Sequence, residues 1–190
     1  SDSPPSNTPT LQQKNVCKSN VWKPGVSMGP AKPDKNIVTC PANSYVSGFR
    51  CNHKSNQDQV NNTECAVRCC TGQEVADDAI TQTQNIQKGK LSTKFSNGNN
   101  KHPITAITSS HDSNQDMTHH EYIRTSHHGL SQDLENCEET PEAVRSSTDA
   151  YDGVICPKNK VAAEMTFRHA FGENQTNQEY VKMMCCDLPQ

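Results

Sequence analysis

Long apolar runs are absent from this chain, aromatic residues are scarce, and its charges gather into no stripe of one sign. The first absence excludes a membrane-spanning helix, which needs about 20 consecutive apolar residues. The second excludes a thick hydrophobic core: with 31% apolar and 5% aromatic residues, burial alone does not offset the entropy of ordering the chain. The third argues against a nucleic-acid partner, because lysines and arginines are scattered among carboxylates at a net charge of -3. Also missing are a GxSxG elbow, an HExxH pair and a phosphate-cradling loop, so no catalytic role and no required cofactor is expected.

What is present in quantity is cysteine, ten in all, with no CxxC pair spaced for zinc. An even count in a polar chain reads as a disulfide framework formed in an oxidising compartment. The sequons beginning at Asn61 and Asn174 agree with passage through a secretory route. The opening Ser-Asp-Ser-Pro-Pro reads as a mature form without its targeting peptide. The expected location is therefore secreted and extracellular.

Two stretches coincide when shifted by 116 positions, two intervals of 58: Cys40-Pro41 falls on Cys156-Pro157, Asn43 on Asn159, His53 on His169, and Cys69-Cys70 on Cys185-Cys186. Halfway between them, "HKSNQD" from His53 returns as "HDSNQD" from His111. In this middle copy Ile104, Ala106 and Ile107 take the places of Val46, Gly48 and Phe49, and Ile123-Arg124 is matched to Val67-Arg68 by allowing a short deletion. Such a period means one supersecondary unit used three times. Alternation, as in Ala163, Met165 and Phe167 against Glu164, Thr166 and Arg168, makes each unit a β-hairpin with a polar tip. The expected fold is all-β: three pseudo-repeats of a hairpin unit packed about a pseudo-threefold axis, disulfide-stapled, with long irregular loops. Residues 1–14 read as a flexible tail, and 15–190 as one domain of units near 15–72, 73–130 and 131–188. The stretch from Gln73 to Lys90 reads as a short helix or as nothing regular.

The cysteine positions constrain their pairing. Cys51 and Cys65 occur in the first copy alone, and the apolar pair Phe167 and Val181 replaces them in the third, so a Cys51–Cys65 bridge across the hairpin is expected. Adjacent cysteines on a strand point to opposite faces, so one of Cys69 and Cys70 goes to Cys40 and the other to Cys17. Likewise Cys185 and Cys186 divide between Cys156 and Cys137, with both assignments open.

Cys-Pro opening a strand, the "VSGF" of Val46 to Phe49, a charged turn and a closing strand ending in Cys-Cys together resemble the dermatopontin family, secreted matrix proteins and invertebrate agglutinins built of three related units. The resemblance covers roughly residues 17 to 187, without the Asp-Arg-x-Trp that the family carries before its closing strands. It implies matrix or cell-surface association and lectin-like glycan recognition, with extracellular glycans or matrix proteins as partners and self-association compatible with the architecture.

Polar groups at the three tips suit sugar hydroxyls: His53, Asn56, Gln57 and Asp58; His111, Asn114, Gln115 and Asp116; His169, Glu173 and Gln175. The same residue types also stabilise turns by bonding their own backbone. A different reading starts from the middle copy, which concentrates His111, His119, His120, His127 and His128. Neutral imidazoles there would hold a divalent metal, zinc or copper, in a metal-binding or storage protein. A defence or toxin-like module is a third reading.

Overall fold

The computed structural model describes residues 22–24, 26–27, 34–54, 62–72, 79–86, 92–96, 102–112, 120–130, 132–146, 153–171 and 177–189. No helix occurs among them; every regular element is a strand. In chain order these are β1 (Lys23–Pro24), β2 (Val26–Ser27), β3 (Asp34–Thr39), β4 (Ser44–Lys54) and β5 (Asn62–Thr71). Next come β6 (Ala79–Ile86), β7 (Ser92–Phe95), β8 (Ile104–Asp112) and β9 (His120–His128). The last are β10 (Glu135–Glu139), β11 (Ala143–Ser146), β12 (Val154–Ile155), β13 (Lys160–Phe171) and β14 (Asn177–Asp187). The Gln73–Lys90 stretch is thus neither helical nor shapeless where it is described. Ile80, Thr81, Thr83 and Ile86 suit a pleated ladder, and all of β6 pairs with β9.

Three sheets result, each centred on one antiparallel hairpin: β1-β5-β4-β12, β2-β3-β8-β9-β6 and β10-β14-β13-β7, with β11 also on β14. The hairpins share one register. Lys54 faces Asn62, Asp112 faces His120 and Ala170 faces Gln178, each rung 58 residues beyond the last. The same interval holds at the base, where Phe49 faces Val67, Ile107 faces Thr125 and Met165 faces Met183. The deletion assumed in the middle copy is therefore not there: Thr125, not Ile123, stands where Val67 stands, and Ile123 stands where Cys65 and Val181 stand. Composition misled the alignment, because a polar threonine occupies an otherwise apolar seat.

Each hairpin also skips one residue at the same point. The register shifts between Val46 and Gly48, between Ile104 and Ala106, and between Ala162 and Glu164, leaving Ser47, Thr105 and Ala163 as bulge residues. This corrects the expected alternation. Ala163 does not share the surroundings of Met165 and Phe167, because the bulge turns it into a second apolar cluster with Tyr45, Leu134, Val161 and Leu188. Bulge carbonyls then receive chain from elsewhere: the Cys40 N–H donates to Thr105 O at 2.9 Å, and the Cys156 N–H to Ser47 O at 2.8 Å.

The strands leading into the hairpins do not pair with their own hairpin. β3, which precedes β4, pairs with β8; β7, which precedes β8, pairs with β13; β12, which precedes β13, pairs with β4. After β3 and β12 the chain turns through Cys-Pro-x-Asn. The Ser44 and Lys160 N–H groups donate to Pro41 O and Pro157 O, both at 3.1 Å. Asn43 and Asn159 sit at φ 59° and 63°, a region asparagine enters more readily than other side chains do.

The main core lies where the sheets meet. Phe167 packs edge-to-face on Phe49 at 6.1 Å and on Phe95 at 5.5 Å between ring centroids. Ile104, Ile107 and Ile123 enter from the middle sheet, and the cystines Cys40–Cys69 and Cys156–Cys185 wall the cluster. Cys137 pairs with Cys186. Cys65 and Cys70 are also oxidised. Cys65 stands directly across the ladder from Cys51, its expected partner; Cys17, expected to close the remaining bridge, lies outside the described residues.

Candidate functional site

Because all three hairpins keep one register, they carry their histidines at one rung. His53 faces Thr63, His111 faces Glu121 and His169 faces Glu179, each on a different sheet. The tip residues Asn56, Gln57, Asp58, Asn114, Gln115, Asp116, Glu173 and Gln175, and the sequon asparagines Asn61 and Asn174, lie outside the described residues.

Of the middle-hairpin histidines, His111 and His120 stand on adjacent rungs near the tip, and His127 at the base of the β8–β9 ladder. Asp112 pairs in register with His120, and His119 lies outside the described residues. His127 is fully buried. Its Nδ1 meets the His102 carbonyl at 3.0 Å and its Nε2 the Thr125 hydroxyl at 2.8 Å. The neutral tautomer that fits has Nδ1–H donating to the carbonyl and Nε2 accepting from Thr125. Burial holds its pKa below the ordinary histidine value, opposed by the His102 carbonyl bond and by the Glu164 charge. With both ring nitrogens engaged inside the protein, His127 is no metal ligand in this conformation. His128, half-buried beside it, donates its backbone N–H to Pro103 O at 3.2 Å. Among the described residues no group of three His, Cys, Asp or Glu could hold an ion.

His127 has a different meaning, which the uninterrupted interval reveals. It stands 58 residues after Cys69 and 58 before Cys185. In the outer hairpins that seat belongs to a cystine; in the middle one it belongs to a histidine clamped between Thr125 and the backbone before β8. Extending the interval without a gap would have disclosed the substitution from sequence.

Two polar assemblies on the sheet surfaces were not foreseen. Outward positions of the third sheet form cross-strand ion pairs, Lys94 with Glu164 at 3.6 Å and Lys182 with Glu139, while Arg168 pairs with Glu142 and lies 4.1 Å over the Tyr180 ring. That pairing lowers the Glu142 pKa, chiefly through the hydrogen bond from Arg168. A recess of about 190 Å³ opens among Lys94, Glu139, Glu164, Thr166, Lys182 and Met184. On the first sheet, Arg50 and Arg68 lie 4.5 and 5.7 Å from the centroid of the half-buried Trp22 ring. Cross-strand pairs of this kind depend on register, which single residues do not announce.

No helix among the described residues is long and apolar enough to cross a membrane. No family model, curated protein or solved structure matches the chain.

Proposed function

We propose that the protein is a secreted binding protein, acting in matrix or cell-surface association and recognising glycans through three equivalent hairpin tips arranged about a pseudo-threefold axis. The observation that carries this reading is the common register, which sets His53, His111 and His169 at one rung of three hairpins. The passage of β3, β7 and β12 each to a neighbouring hairpin supports the threefold packing, since three such exchanges close a ring. Weak single sites of this kind gain through simultaneous engagement of a polyvalent surface. The cystines support an oxidising, extracellular location.

A glycan array probed with the oxidised chain tests the reading. Binding is expected, and the triple variant His53→Ala, His111→Ala, His169→Ala is expected to lose at least about tenfold in avidity at unchanged melting temperature. Absence of binding to every glycan, or binding indifferent to the triple change, overturns it. Stoichiometric zinc or copper lost on changing His111 and His120 would favour the metal-binding reading instead.

A further inference from the structure

Cys137 is exposed, while its partner Cys186 is fully buried. Cys40, Cys156 and Cys185 are buried, and Cys69 is partly so. The setting of Cys137 is irregular as well as open. The β10–β14 register shifts between Glu135 and Glu138, and Asn136, immediately before the cysteine, has φ 51°. Carboxylates crowd β10 and the facing end of β14. Glu139 is paired with Lys182 and Asp187 with Lys160, so those charges largely cancel, but Glu135 and Glu138, on either side of Cys137, are exposed.

We propose that the Cys137–Cys186 bridge is a thiol–disulfide exchange site selective for cationic thiols, whether small molecules or a cysteine on a basic protein surface. A thiolate attacks the sulfur of the exposed residue Cys137; the bond to Cys186 breaks, and its electron pair leaves on Cys186, which takes a proton from solvent. The product is a mixed disulfide at Cys137 and a thiol at Cys186. A second thiolate attacking the outer sulfur of that mixed disulfide releases a small disulfide and leaves both cysteines reduced. The buried Cys186 packs with Tyr45, Val161 and Leu188 and offers an incoming thiol no approach, so the adduct is held at Cys137. The exposed Glu135 and Glu138, which flank Cys137 in sequence, attract a cationic thiol and repel an anionic one within a Debye length.

The test exposes the oxidised chain at low ionic strength to cysteamine or to 2-mercaptoethanesulfonate, normalised to their rates on a small neutral disulfide. Exchange is quenched with acid, and free thiols are alkylated and mapped. The expected first products are an adduct at Cys137 and an alkylated Cys186, appearing before any opening of Cys40–Cys69 or Cys156–Cys185. Cysteamine should react faster by about tenfold, with the ratio collapsing in about 0.5 M salt and in the double variant Glu135→Gln, Glu138→Gln. Earlier or equal opening of either buried pair overturns the site. A ratio near unity at low salt, or one unmoved by the double variant, overturns the selectivity. Unchanged rates at the two buried pairs show that the variant remains folded.

Discussion

At the scale of single residues, His127 turns a sequence irregularity into a pH dependence. Its proton affinity is lowered on folding, chiefly by burial, so between the folded pKa and the unfolded value near 6.5 the unfolded chain binds more protons than the folded one. Stability therefore rises with pH through that window and is lost as pH falls below about 6.5. Melting temperatures recorded from pH 7.5 down to 5 should decline, and the decline should shrink in His127→Leu. That variant should also be less stable by about 1–3 kcal/mol at neutral pH, because it leaves the Thr125 hydroxyl and the His102 carbonyl without their partner. The nearby Glu164 charge, which opposes the effect of burial, should modulate the slope without abolishing it. Gly153 makes a second prediction. It sits at φ 73°, where an added Cβ would lie 2.5 Å from the Phe49 carbonyl and from the Arg50 Cβ. Gly153→Ala should cost roughly 1–3 kcal/mol in denaturant unfolding by strain and close contact.

At the scale of elements, the hairpins were legible because their signals are local: alternation along Met165 to Arg168, a Cys-Pro opening, a Cys-Cys close. Division of each Cys-Cys pair between two partners was legible for the same reason, since neighbours on a strand face opposite ways. The assignment within a pair was not. Cys185 goes to Cys156 in the main core and Cys186 to Cys137 in the second cluster, which depends on which face of β14 meets which sheet. The bulges at Ser47, Thr105 and Ala163 were hidden likewise, because an unpaired residue has no composition of its own. So was β6, whose partner β9 decides its state. The Cys156–Cys185 bridge spans 29 residues, and in the chain-entropy account such a loop is worth about 3–4 kcal/mol. Replacing both cysteines with alanine should lower stability by about that amount, read from the denaturant midpoint under non-reducing conditions with the other bridges verified by peptide mapping. An unchanged midpoint would mean that β13 and β14 are held by their ladder and core alone.

At the scale of the whole molecule, the pairings of β3, β7 and β12 make each sheet depend on chain from another part of the sequence. β12 contributes only Val154 and Ile155, yet these pair with Gly48 and Phe49 of β4, and Val154 is buried in the main core. The following Cys156 donates its N–H to the Ser47 carbonyl, completing the first hairpin at its bulge. Phe167 sits between Phe49 and Phe95, joining strands from residues 44–54, 92–95 and 160–171. Deleting residues 153–190 therefore removes more than the last hairpin. It strips β4 of its neighbour, leaves Phe49 and Phe95 without the ring they share, and frees the edge of β7 that pairs with β13. The truncated chain, oxidised and otherwise intact, should show no cooperative thermal transition and should exchange the amides of β4 and β5 as fast as those of an unfolded segment. If the remaining two hairpins instead melted cooperatively within a few degrees of the full chain, their stability would be self-contained, and the mutual dependence read from these strand exchanges would be wrong.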